Sequence, residues 1–215
     1  LLGGSQGVLG WYMVKSGLVD NPHVSQYRLT AHLGLAVFIY GFIIWTVLDL
    51  LAPKLSQPRH LKRFSYILSS LIFFMILSGG LVAGTRAGIP YPTWPLMGDN
   101  FIPPGLYSLT PFWLSAFEDM LTIQFNHRMF AYLIVVLVVT FAYKALKSDL
   151  DGPLKIAIYC FLILLVAQVS LGISTLIFYI PVPVAAAHQV CAVALLTASL
   201  FVSHCFSNQM TARES

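Results

Sequence analysis

Five stretches of this 215-residue chain are long and apolar enough to cross a membrane, near residues 28 to 51, 64 to 84, 122 to 145, 154 to 178 and 184 to 206. A helix needs about 20 such residues to span the hydrocarbon. In lipid, every backbone polar group must be satisfied inside the segment, so these runs are constrained to be helices. Charged residues make up only 9% of the chain, against about 25% in an average soluble domain. The expected fold is therefore all-α, a polytopic transmembrane helix bundle. A sixth apolar run, residues 1 to 18, starts on Leu1 without a basic leader or a cleavage site. It reads as a mid-protein helix of an N-terminally truncated fragment and not as a signal peptide.

Lys54, Arg59, Lys62 and Arg63 crowd the connection after the second run, and Lys144, Lys147 and Lys155 the one after the fourth. The positive-inside rule puts both on the cytoplasmic or matrix side. With the basic residues gathered at helix ends, the net charge of +4 does not indicate a nucleic-acid partner. Cys160, Cys191 and Cys205 lie within spans, where free cysteines act as small apolar fillers. The opposite, outer side receives the loop 19 to 27, the segment 85 to 121 and the tight turn at 180 to 183.

That orientation sets His32, His127 and His188 at one depth, one to two turns below the outer face. Ionisable groups inside a bilayer are costly and mark functional sites. Two neutral imidazoles on neighbouring helices suit a haem iron bound from both faces. Zinc would want a third ligand, and the spans offer no carboxylate at that level. Gln124 shares the helix face of His127, and Arg28 that of His32. Arg28, Arg86 and Arg128 could pair with haem propionates or reach to lipid headgroups. His204, His60 and His23 are expected in solvated or interfacial positions. The proline- and tryptophan-rich outer segment is expected to form a structured cap, with Glu118 and Asp119 leading into the QFNHR helix at 124 to 128.

QGVLG at 6 to 10 and QVSLG at 168 to 172 each precede a helix opening on Ala-His, Ala31-His32 and Ala187-His188. This repeat predicts two copies of a four-helix unit. Residues 1 to 51 would be the last two helices of one unit. Residues 64 to 206 would be a complete second unit with a long outer loop at 85 to 121.

Taken together, QGVLGWYMVKSGL, VSQYRLTAHLGLA, GGLVAGTRAG, TWPLMGDNFIPP, QFNHR and QVSLGISTL followed by PVPVAAAHQ resemble the haem A synthase family of bacterial and mitochondrial inner membranes. The resemblance implies oxidation of a methyl group of haem O to the formyl group of haem A. It implies a haem b cofactor held by His127 and His188, with Arg128 and Gln124 beside it, and a substrate-haem site at His32 and Arg28. His127, His188 and His32 would be the iron ligands. The family's catalytic glutamate lies on a helix this fragment lacks, so the fragment is expected to bind haem b yet be inactive. Implied partners are haem O, membrane lipid, haem O synthase, an electron donor and a second copy of the chain. The rival readings are a non-catalytic di-haem cytochrome exchanging electrons with quinone, and a transporter. The first would place haems at both membrane levels. The second would cluster polar groups at the midplane.

Overall fold

The structure, a computed structural model, describes residues 1–15, 24–51 and 61–207. Seven α-helices are described: α1 (Leu2–Lys15), α2 (Gln26–Leu51), α3 (Lys62–Thr85), α4 (Ser115–Glu118), α5 (Met120–Leu146), α6 (Gly152–Ile177) and α7 (Val182–Ser207). The five long helices α2, α3, α5, α6 and α7 are long and apolar enough to cross a membrane, and their limits fall within two residues of the apolar runs. The protein is an all-α, polytopic membrane bundle. The connection at 52–60, with Lys54, Arg59 and His60, lies outside the described residues, as does His23.

Local chemistry explains the helix ends. Asp119 caps α5, its carboxylate accepting from the Thr122 N–H at 2.9 Å and the Thr122 hydroxyl at 2.6 Å. α6 opens on Asp151 with a proline in its first turn, where a missing N–H costs nothing. α3 closes with Arg86 in the left-handed region (φ 55°), its N–H donating back to Ala83 O.

Large apolar side chains cover the outside of the bundle, among them Phe38 and Phe42 on α2, Val136 and Val139 on α5 and Ile163 and Val166 on α6. Such a surface suits lipid and would be unfavourable in water. Inside, the inner half of the bundle is a conventional packed core. Phe141 of α5 meets Phe64 of α3 and Phe206 of α7 edge-on, with centroids 5.4 and 5.9 Å apart.

α3 sits at the centre and packs on α2, α5 and α7. Its contact with α2 runs along GGLVAG. A Cβ at Gly80 would stand 3.0 Å from Thr30 Oγ1, and one at Gly84 only 2.7 Å from Gln26 Cα. With lipid on all sides there is little hydrophobic drive between helices, so close approach through small residues four apart is what holds this pair. The hydroxyl pairs Ser69–Ser203 (2.8 Å) and Tyr40–Thr197 (2.7 Å) join α7 to α3 and α2.

Two expectations need correction. His204 is fully buried, not solvated: its Nε2 lies 2.8 Å from Asp49 Oδ1, and its ring packs edge-on against Trp45 at 5.2 Å. Asp49, on α2, compensates the imidazole that α7 buries at the inner end. Among the cysteines only Cys205 is buried; Cys160 faces outward from α6 and Cys191 is half-buried. An outward thiol in a lipid-facing surface carries no desolvation cost that packing must offset, so burial was not required.

Candidate haem site

Two of the three candidate histidines, His32 and His188, are set by the helix before them. On α2, His32 faces α1: Gln6 Nε2 lies 3.3 Å from His32 Nε2 and donates to the His32 carbonyl at 3.2 Å. On α7, His188 faces α6: its Nδ1–H donates to the Gln168 carbonyl at 3.1 Å, and Gln168 Nε2 lies 3.5 Å from its Nε2. A Cβ placed on Gly10 would come within 3.0 Å of His32 Cε1, and one on Gly172 within 2.9 Å of His188 Cε1. Thus α1–α2 and α6–α7 build the same cradle: a glutamine beside the imidazole and, one turn on, a glycine that makes room for the ring.

His127 is held differently. Its Nδ1 lies 3.0 Å from Ser78 Oγ on α3, and Gly79 is the residue whose Cβ would approach its Cε1, at 3.6 Å. His127 and His188 are near enough to interact electrostatically, and Arg128 also acts on His127. Where Nδ1–H is donated to Ser78 and to Gln168 O, each ring presents the lone pair of Nε2, the form in which imidazole binds a metal. The donor chemistry of both rings therefore fits what a haem iron asks of imidazole ligands, with Gln168 as the group that must yield His188 Nε2. No group of three or more histidine, cysteine or carboxylate side chains that could hold another metal occurs among the described residues.

The rest of QFNHR serves the outer segment. Gln124 Nε2 donates to Tyr91 O at 3.1 Å, and Arg128 donates to Tyr91 O at 3.0 Å and Leu96 O at 3.2 Å. Asn126 Oδ1 accepts from the Tyr107 hydroxyl at 2.8 Å. The segment is ordered around these anchors, with Met97 and Ala87 buried and Met97 N–H bonded to Asn100 O at 2.8 Å. Glu118 reaches α2 instead, bonded by Gln26 and Tyr27. Two of Arg128's donor groups are thus spent on loop carbonyls, while its Nε has no hydrogen-bond partner in the structure. Arg28 stacks over the Tyr12 ring, 3.9 Å from its centroid, and donates to Tyr12 O at 3.2 Å.

Sequence reasoning singled out His32, His127, His188, Gln124, Arg28 and Arg128, but gave no role to Ser78, Asn126, Gly10 or Gly172. The glycines were legible in the repeat, as its last shared letter. Ser78 carried no signal, because its partner is 49 residues away on another helix.

A family model described as COX15-CtaA, cytochrome oxidase assembly protein, matches residues 1–200. The chain belongs to this family. COX15-CtaA relatives include a protein of Nitrosospira multiformis named "Heme A synthase", 53% identical over 209 residues, which are 95% of this chain and 59% of the relative. "Heme A synthase" of Nitrosomonas eutropha is 46% identical over 94% of this chain and 58% of its own length. "Heme A synthase COX15" of Homo sapiens is 41% identical over 92% of this chain and 51% of its own length. The chain thus spans between half and three-fifths of these COX15-CtaA relatives.

Gly172 offers a direct test of the cradle. In Gly172→Ala the new methyl must displace the His188 ring, which is held at Nδ1, so haem affinity should fall by about 10-fold or more, the usual cost of disturbing a ligand's support. Gly152→Ala, with nothing within 4 Å of the new methyl, is the control. Equal haem titration curves for the two variants would refute the cradle.

Proposed function

We propose that the chain is the haem b-binding part of a haem A synthase, acting in haem A biosynthesis. In this reading residues 64 to 206 form the complete four-helix unit, and residues 1 to 51 are two helices of the unit that receives haem O at His32 and Arg28. The observation that carries it is that His127 and His188 are each braced through Nδ1, which leaves Nε2 as the ligating atom, with His188 acting electrostatically on His127. The names of the relatives support the reaction, oxidation of a haem O methyl group to a formyl group.

A bound b-type haem supplies one-electron redox chemistry. This chain's own residues do the rest. His127 and His188 would hold the iron, Gly172 leaves space for the His188 ring, and Gln124 and Arg128 fasten the outer segment that shields the edge of the site from water. Positioning of this kind is what a redox protein contributes beyond its cofactor. The alternative of a di-haem cytochrome needs histidines free at the inner level, and His204 is instead engaged with Asp49.

The test is to express the chain in a membrane with haem O available, then extract and chromatograph the haems. One b-type haem and no formyl-bearing haem are expected. Joining the two preceding helices of a close relative should then give haem A. Haem A from the chain alone would mean that the active site has been misassigned, and a restored protein that binds both haems without reacting would defeat the enzymatic reading.

A further inference from the structure

We propose that Ser78 is the positioning residue that fixes the tautomer and sets the electron-donating strength of His127, and so tunes the redox potential of the haem that His127 binds. The inference rests on the reading above that His127 is an axial ligand.

Hydroxyls in membrane helices commonly bond the carbonyl one turn back along their own helix. Thr46, Thr85, Thr140 and Thr175 all do so, at 2.7 to 2.9 Å. Ser78 reaches across to another helix and meets His127 Nδ1 at 3.0 Å. The three outer-level histidines therefore differ at this nitrogen. His188 Nδ1 is held by a main-chain carbonyl, which no substitution removes. His32 Nδ1 is buried with no hydrogen-bond partner in the structure. Only at His127 is the partner a side chain.

With iron at Nε2, Nδ1 carries the proton and Ser78 Oγ must accept it. A hydrogen bond accepted from Nδ1–H makes an imidazole ligand more basic. A more basic ligand stabilises ferric over ferrous iron, which lowers the potential. Hydrogen bonding around the ligands is one of the few means by which a protein sets a haem potential.

The experiment is redox titration and low-temperature electron paramagnetic resonance of the haem-loaded chain, comparing wild type, Ser78→Ala, Ser78→Thr and Ser69→Ala. Ser78→Ala should keep a low-spin bis-histidine haem but shift its midpoint potential upward and alter its g-values. Ser78→Thr, which keeps the hydroxyl, should restore both towards wild type. Ser69→Ala removes a buried serine of the same helix that bonds Ser203, and should leave both unchanged. An unshifted potential in Ser78→Ala, or an equal shift in Ser69→Ala, overturns the role of Ser78 while leaving the ligand assignment standing. A wild-type chain whose haem is not bis-histidine overturns both.

Discussion

Replacing either His127 or His188 with alanine is expected to abolish the six-coordinate bis-histidine spectrum of the haem-loaded chain. On the proposed ligation each variant removes one iron donor, and Gln168 and Ser78, the polar groups that touch these rings, are weak ligands for haem iron and do not replace it. The result should be a five-coordinate, high-spin haem or loss of haem altogether. His204→Ala should leave the spectrum intact, since that imidazole lies at the other end of α7 and is bonded to Asp49. His32→Ala should also leave the b-type signal in place, because its cradle is built by α1 and not by α3 or α6. Optical spectra of the reduced and oxidised forms decide the matter. A folded His127→Ala, His188→Ala double variant that retained bis-histidine haem would end the assignment.

The second large effect is expected at Arg128. Arg128→Met removes two charge-assisted hydrogen bonds to loop carbonyls, each worth about 1.5–3 kcal/mol, so a loss of roughly 3 kcal/mol or more in the attachment of the outer segment is predicted. Adding Gln124→Leu removes the remaining side-chain donor to Tyr91 O and should free the segment further. Arg128→Lys should rescue poorly, because a single ammonium cannot reproduce the fork that spans Tyr91 O and Leu96 O. Proteolysis of the 90 to 110 region, applied from the outer side of sealed vesicles, reports the attachment. If cutting rates match wild type in the Gln124→Leu, Arg128→Met variant, these bonds do not hold the segment.

The spans and their limits were legible because lipid imposes length and hydropathy rules that leave few alternatives. The repeat was legible for a related reason: Gln6, Gly10 and His32 recur as Gln168, Gly172 and His188 because a ring needs the same space and the same neighbour wherever the pair of helices is built. What the sequence could not disclose was partnership. Arg128 looked like a donor to a propionate, and two of its donor groups are committed to main-chain carbonyls, which have no residue-type signature. His204 looked solvated because it lies near a helix end, and the carboxylate that allows its burial is 155 residues away in the chain.

The glycine seam between α2 and α3 also acts as a spacer. Thr30, two residues before His32, rests on the bare backbone of Gly80, and Ser78, two residues before Gly80, touches His127. The separation of His32 from His127 is therefore set where α2 and α3 meet, with Thr30 and the Leu33 side chain lying against the space a Gly80 Cβ would take. A bulkier residue at Gly80 or Gly84 would act as a shim, forcing α2 and α3 apart and resetting the separation of His32 from His127 without touching either ring.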